Sequence, residues 1–513
     1  MEKRLTFLAI AILSLSSCDN TTRKVTVNQE PIVLPHPEAI SMTGGSIALT
    51  RSSRLYSPHE ELKPLLELLD SELYKITGNR LGISSKENAS ADISFIIDSS
   101  LVPEEYHLEI DRAVQLTGGS YQALAMAKST LLQLAQKNDG FLIFPRLEIR
   151  DHPDASYRSL MVDVARQWHD VDILMQIIDM AAFYKIKFVQ LHLTDDQSFT
   201  FPSSSFPKLP SPGRHYERQE LEDLVHYAKI RGVVLIPELE VPGHALQFVK
   251  SYPDIFGVEN SNDDSNVINI GKEEVYIAID KIIGEIVEIF DNSPYFHIGG
   301  DEARLTLLES DPHVKAFMRE RDLGHDVHEL FRYFIVQMNG IVKKHGKQMC
   351  VWEGFEPRGE VNIPNDIIVF EFETNKYLPT HLVDDGYTVV NTSWKPLYVV
   401  NHKKWEPKTI YSWNMWRWEN WWDQAPSIVP IQLEKTPLVI GAQMCSWEQT
   451  QELEIPSLRK RLPAFAERVW NTDEKISFQE FSERLDKTDQ ILSLLIEDSR
   501  QDSLLTNYNF EAD

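Results

Sequence analysis

The chain has 513 residues, enough for two or three domains at roughly 150 residues each, and its 42% hydrophobic and 25% charged content is that of a globular protein. Its 51 basic against 77 acidic residues give a formal net charge of -26. That acidity excludes nucleic acid and anionic membrane surfaces as main partners, since both need clustered Lys and Arg.

At the N-terminus, Lys3 and Arg4 precede a short apolar run from Leu5 to Leu13, and Leu15-Ser16-Ser17-Cys18 follows. The layout is that of a secretory signal, too short to span a bilayer stably. It also resembles a bacterial lipoprotein box, in which Cys18 becomes the lipidated first residue. The expectation is a signal peptide over 1–17, a polar linker over 18–30, and an exported body in the periplasm or at the outer-membrane or cell surface. The only membrane contact expected is the lipid anchor.

From 31 to 151 the pattern predicts a small α+β domain. Strand-like runs at Ser94 to Asp98, Tyr106 to Ile110 and Ala113 to Thr117 precede an apolar-periodic helix at Tyr121 to Ala135. Phe141 to Arg150 reads as a further strand in which Pro145 marks an edge position or a break.

After Pro153 the rhythm becomes short apolar strands separated by helix-length segments, which predicts βα units over 152–480 and a helical tail over 481–513. Strands are expected at Leu160 to Ala165, Phe188 to Leu193, Val233 to Leu239, Tyr295 to Gly299, Gln348 to Trp352, Ile367 to Phe372, Tyr387 to Thr392 and Leu438 to Met444. Amphipathic helices fit Val171 to Tyr184, Leu221 to Ile230, Glu274 to Phe290 and Val327 to Lys344. The fold class is therefore α/β, a (β/α)8 TIM barrel whose active site lies at the strand C-terminal ends.

Those ends carry chemistry. In order come Asp163 with Arg166, Asp195-Asp196, Glu240 with His244, Asp301-Glu302, Trp352-Glu353, Glu371, Trp394 with Tyr398, and Trp447-Glu448. Acids and indoles recurring at the same end of successive strands point to a site rather than to a scaffold. Two glycines precede Asp301-Glu302, where the backbone can turn sharply or approach a ligand. Adjacent carboxylates raise one pKa, which is what a general acid needs near neutral pH. On its own, an Asp-Glu pair also fits a solvated acidic turn.

His297-Ile298-Gly299-Gly300-Asp301-Glu302 resembles the signature of glycoside hydrolase family 20, the β-N-acetylhexosaminidases. Tyr157 to Arg166, Leu191 to Phe199 and Pro237 to Ala245 resemble that family's first three barrel strands, and Trp352, Tyr398, Trp447 and Ala466 to Trp470 match its later part. The family also carries a small α+β domain ahead of its barrel.

The resemblance implies an exo-acting, retaining mechanism in which the substrate's own acetamido group is the nucleophile. Glu302 is implied as acid/base, and Asp301 as the group that orients the acetamido N–H and stabilises the intermediate. Tyr398 would donate to the acetamido carbonyl, Trp352 and Trp447 would wall the pocket, and Arg158 would hold O3 and O4. His244 would link Glu240 to Glu302, with Asp195 as support. No cofactor and no metal is implied, and His192, Asp195, Glu240 and His244 lack the tight His spacing of a metal site. A glycan-binding lipoprotein on the same fold is the rival reading, opposed by the intact Asp301-Glu302 pair.

The chain departs from the family at the sugar's periphery. Tyr398-Val399-Val400 lacks the carboxylate usual two residues after the Tyr, and Gln449 stands where a Glu is common, with Glu448 one residue earlier. No Trp appears in Ile367 to Thr374, leaving Phe370 or Phe372 to substitute. A terminal sugar altered around O4 or O6, such as a sulfated GlcNAc or a GalNAc, is therefore expected. Six of the chain's eleven tryptophans, Trp405, Trp413, Trp416, Trp418, Trp421 and Trp422, fall between the seventh and eighth strands. Most are expected to pack an insertion, with one or two left for stacking on a glycan. Cys350 and Cys445 sit in apolar runs and read as buried small hydrophobes.

Overall fold

The computed structural model describes residues 30–84, 91–138, 141–259, 265–420 and 429–496. The N-terminal segment with Cys18 lies outside them, as do Trp421, Trp422 and the tail beyond 496. No helix among the described residues is long and apolar enough to cross a membrane.

The N-terminal part is an eight-stranded sheet, ordered Ala39–Leu49, Phe141–Asp151, Tyr106–Ile110, Val114–Gly118, Ile93–Ile97, Arg54–Tyr56 and Gly82–Ile83, with Gln136–Asn138 also pairing to Phe141–Asp151. Pro145 does not break its strand. Its partner on one side is Ser46, while the pairing with Tyr106–Ile110 begins only at Leu147 and that with Gln136–Asn138 ends at Ile143. The missing N–H therefore falls in a local gap on the other side. Helix Tyr121–Leu134 is buried from Ala123 to Leu134, because the sheet covers one side and the barrel the other. That explains why even Lys128, Ser129, Thr130 and Gln133 on it are buried. Ser129 Oγ donates to Ala182 O at 2.9 Å and Gln133 Nε2 to Phe183 O at 3.1 Å, tying it to the barrel.

Eight parallel strands close the barrel: β1 (Tyr157–Asp163), β2 (Phe188–His192), β3 (Val234–Glu238), β4 (Tyr295–His297), β5 (Gln348–Trp352), β6 (Ile368–Glu371), β7 (Thr388–Asn391) and β8 (Val439–Ser446). Closure is direct, with Met444 beside Leu160 and Ala442 beside Asn391. β1 is buried at every position, as a strand covered on both faces should be. Crossover helices α1 (Val171–Phe183), α2 (Arg218–Ile230), α3 (Glu273–Ile289) and α4 (Val327–Lys344) follow the first four strands, α4 after the further short helix Pro312–Glu320. Later connections are irregular; the one from β7 to β8 carries a short strand, Tyr398–Val400, that pairs with β8 at the rim.

The interior is filled in layers. Tyr157, Phe188 and Tyr295 plug the N-terminal end, with Tyr157 and Phe188 stacked at 4.8 Å. Trp352 and Phe370 lie above them, and Cys350 and Cys445 are buried free thiols in the same cluster. A last helix, Phe478–Leu495, packs on α1 and on helix Lys63–Thr77, so it spans both parts of the chain.

Candidate active site

At the C-terminal ends of the strands lies a cavity of about 260 Å³. Asp301, Glu302 and Arg166 line it together with the aromatic side chains of Phe372, Trp394, Tyr398 and Trp447. Tyr398 stacks on Phe372 at 6.4 Å and lies 5.5 Å from Trp394 and 6.3 Å from Trp447. The rim is completed by Val400, His402, Lys403, Trp405 and Glu448. A larger cleft of about 1000 Å³ lies between the 395–419 segment and helix Phe478–Leu495, and neither Asp301 nor Glu302 borders it.

The glycines before Asp301 serve the protein's own packing. Gly299 has φ +70° and Gly300 +101°; a Cβ on the first would lie 1.9 Å from the Glu240 carboxylate, and on the second 2.7 Å from Val351 Cγ2. Glu302, His244 and Glu448 also adopt left-handed backbone, with φ 46°, 46° and 58°. Such strain costs about 1–3 kcal/mol per residue and persists where the surroundings over-determine it.

Asp301 Oδ1 is shielded from solvent and has no hydrogen-bond partner among the described residues. Burial raises its pKa; His244 opposes this, and the Glu302 and Glu238 charges add to it. Glu302 goes the other way. Its Oε2 lies 3.3 Å from His244 Nε2 in an ion pair, and that contact with the positive ring lowers its pKa despite partial burial. The raised pKa expected for the acid thus belongs to Asp301 instead, because Asp301 is enclosed and Glu302 faces an imidazolium. Burial disfavours that charge on His244, but the Asp195 and Glu302 carboxylates against the ring and the Asp301 charge outweigh it and raise the ring to about 11.

His244 does not link Glu240 to Glu302. Its Nδ1 lies 3.4 Å from Asp195 Oδ1, so Asp195 is the carboxylate behind it. Glu240 accepts the Gly300 N–H at 2.9 Å and braces the glycine turn. Burial, then Asp301 and Glu238, push its pKa well up. Asp195 is driven far down despite its burial, by hydrogen bonds from His192 and His244 and by Arg166, whose Nε lies 2.9 Å away.

Arg158 is not in the cavity. It sits at the N-terminal end of β1, 1% exposed, donating to Ala155 O at 2.7 Å and paired with Glu104 at 2.7 Å, over the Trp470 ring. About 16 Å of strand separates it from Asp163. It belongs to the seam where the small domain meets the barrel, next to the buried Lys185–Asp151 pair, to which Tyr106 and Trp470 also donate. The arginine that reaches the site is Arg166, its guanidinium 4.7 Å over the Trp447 ring. Asp163 places it: one oxygen accepts the Ala165 and Arg166 N–H groups, the other that of Glu448. The Asp-x-x-Arg spacing at the end of β1 was the available signal.

Trp352 is also displaced from its expected role. It is 1% exposed, lies one layer below the cavity 6.1 Å from Trp447, and donates through Nε1 to Glu238 Oε1 at 2.6 Å. Phe372, with Trp394 beside it, supplies the wall that lacks a sixth-strand Trp. Glu353 and Glu371 brace the loop after β6 by accepting the Tyr377 and Thr374 N–H groups, each at 2.6 Å. Burial raises Glu353 to about 7, and burial with the Glu353 charge pushes Glu371 well up. Of the tryptophan cluster, Trp405 borders the cavity, while Trp413, Trp416 and Trp418 are buried. Gln449 is buried and bonded to Ser457, with Glu448 at the rim instead.

Two groups, His192 with Glu238 and Glu240, and Asp195 with Asp196 and His244, bring ligand-type atoms within 4.8 Å of one another. Their chemistry is that of a network of paired imidazoles and carboxylates. Each imidazole faces a carboxylate on both sides, and Asp196 is taken up by the Leu246 N–H and the Asn266 amide.

Residues 156–473 match the catalytic-domain model of glycosyl hydrolase family 20, and residues 30–152 match that family's domain 2. The chain belongs to glycosyl hydrolase family 20. It is 29% identical to a beta-hexosaminidase of Porphyromonas gingivalis over 94% of this chain and 67% of that one. It is 25% identical to the Bos taurus beta-hexosaminidase subunit alpha over 72% of this chain and 70% of the relative. A family 20 exo β-N-acetylglucosaminidase from Vibrio harveyi, solved with N-acetylglucosamine, shares the fold with a TM-score of 0.78 at 23% identity, covering 90% of this chain and 77% of that one. A Bacteroides fragilis β-N-acetylhexosaminidase superposes with a TM-score of 0.76 at 22% identity, over 90% and 95% of the two chains. Family 20 membership makes the chain a glycoside hydrolase, on a TIM barrel preceded by a small α+β domain.

Proposed function

We propose that this family 20 enzyme is an exo-acting, retaining β-N-acetylhexosaminidase that works by substrate assistance. The observation that carries the reading is Asp301, which lines the cavity beside the His244–Glu302 pair and whose shielded Oδ1 has no hydrogen-bond partner among the described residues. The 2-acetamido N–H donates to Asp301 and Tyr398 donates to the acetamido carbonyl. The carbonyl oxygen attacks C1 as the bond to the leaving oxygen breaks, and Glu302 protonates that oxygen. The oxazolinium formed is stabilised by Asp301; Glu302 then takes a proton from water, which attacks C1 and reopens the ring with net retention. Trp447 and Tyr398 hold the reacting atoms together and keep water out. Arg166 takes the hydroxyl-binding role first expected of Arg158.

The terminal sugar is N-acetylglucosamine or N-acetylgalactosamine, and a 6-O-sulfated form is preferred. Val400 stands where a carboxylate would bind a free hydroxyl, while His402 and Lys403 border the same side. A charge-assisted hydrogen bond to sulfate is worth about 1.5–3 kcal/mol, or roughly tenfold and upward in kcat/KM. Plain and 6-sulfated aryl β-GlcNAc, with aryl β-GalNAc beside them, test both proposals. Release blocked by a thiazoline mimic of the oxazolinium is the expected result, with the sulfated substrate ahead. Equal efficiency removes the sulfate preference, and no release from any of them favours a glycan-binding role.

The N-terminal segment supports a second proposal, export and tethering through a lipid on Cys18. Fatty-acid labelling in a lipoprotein-processing bacterial host should be lost in Cys18→Ser; labelling that persists refutes it.

A further inference from the structure

Behind the acid/base residue runs a ladder of alternating charge. From Glu302 and His244 it passes through Asp195, whose Oδ2 lies 3.0 Å from His192 Nε2. His192 Nδ1 lies 2.9 Å from Glu238 Oε2, and Glu238 ends the ladder under the cavity floor, where it also accepts from Trp352 and Gln190. His192 and Asp195 are 1% exposed and Glu238 0%, so water does not screen these links.

We propose that His192, clamped between Asp195 and Glu238, is a positioning residue for the acid step: its positive charge draws on Asp195 and so releases the His244 proton to Glu302. The proposal rests on Glu302 being the acid/base. The proton moves from His244 Nε2 to Glu302 Oε2 and on to the leaving oxygen, and the proton Glu302 later takes from water restores the pair. When His244 gives up its proton, Asp195 is left facing a neutral ring. The charges on His192 and Arg166 then hold Asp195, which lowers the cost of the transfer. With His192 neutral, Asp195 would hold His244 in its charged form and Glu302 would be a poorer acid.

Every element around these rings contributes a group. His192 faces Asp163 from β1, Arg166 beyond it, Asp195, and Glu238 and Glu240 on and after β3, with the Trp447 ring 4.9 Å away. His297 from β4 lies against Glu238 at 3.1 Å, and the buried Cys350 and Cys445 thiols are near it. His244 faces Asp195, Asp301 and Glu302. Burial disfavours the His192 charge, but Glu238 and Asp195 more than compensate and keep the ring charged up to about pH 10.

The test is the pH profile of kcat/KM for β-GlcNAc substrates with good and poor leaving groups, in wild type, Glu302→Gln, Glu238→Gln and His192→Gln. In Glu238→Gln the ring should discharge toward its ordinary value of about 6.5, moving the alkaline limb for the poor leaving group acidward by about one pH unit or more. The acid-side rate should fall far less. His192→Gln should show a deficit at every pH, confined to poor leaving groups, and it carries the test if the Glu238 variant does not fold. An unmoved limb, or equal losses for both leaving groups at all pH, overturns the proposal, since structural damage acts that way. Failure of the underlying reading looks different: the wild type is inactive, or Glu302→Gln spares the poor leaving group.

Discussion

Glu302→Gln should lower kcat/KM for a sugar leaving group by about 10²–10⁴-fold, the usual worth of general acid–base catalysis. The loss should shrink sharply for a dinitrophenyl leaving group, which departs without protonation. The reason lies in the pair that Glu302 forms with His244, whose facing atoms are 3.3 Å apart. Glu302 alone has a lowered pKa and would be ionised at neutral pH, which looks wrong for an acid. Between them, however, the two groups keep a proton until the pH passes the His244 value of about 11. A bound sugar that covers Glu302 disfavours its charged form and draws that proton onto the carboxyl. The wild-type rate on a poor leaving group should therefore persist into alkaline pH and fall as His192 discharges and the pair loses its proton. Glutamine holds no such proton, so that alkaline limb should be absent in the variant. Equal losses for both leaving groups would point to a binding defect and remove the assignment.

The barrel was legible in the sequence because its strands are buried on both faces and read as short apolar runs at regular spacing. Each of the eight predicted strands overlaps an observed one. Strand Ala39–Leu49 and helix Lys63–Thr77 were not seen, the first because half-exposed positions and Gly44-Gly45 blur its alternation. The site was legible where chemistry sits beside punctuation, as in Gly299-Gly300-Asp301-Glu302. It was not legible where a role depends on which end of a strand a residue occupies. Arg158 and Arg166 are eight residues apart at opposite ends of β1. Which carboxylate serves His244 likewise depends on how the loops after β2 and β3 meet, and sequence order cannot distinguish Asp195 from Glu240. The Asp301 shift follows from enclosure and the Glu302 shift from the facing His244 ring, and only the assembled rim decides either.

Asp301→Asn should cost about 10²–10³-fold in kcat/KM, the scale of removing a preorganised group aimed at developing charge. Most of the loss should be in kcat, because the positive charge the carboxylate answers exists only as the oxazolinium forms. The same variant carries a pH signature of known sign. Asp301 must be ionised to stabilise the positive charge of the oxazolinium, and burial raises its pKa above the ordinary aspartate value. The wild type should therefore lose activity as pH falls through that raised value, earlier than an exposed aspartate would allow. Asparagine does not titrate there, so the low residual rate should lack this acidic limb; a limb that survives unchanged assigns it to another group. Stability separates function from damage. Asp301 sits against Glu302 and near Glu238, and removing one of these like charges relieves repulsion. Melting temperature should therefore hold or rise while turnover collapses, as expected of a residue kept for chemistry at a cost in stability. If both fall together, Asp301 holds the rim in place and the acetamido contact is not its main role.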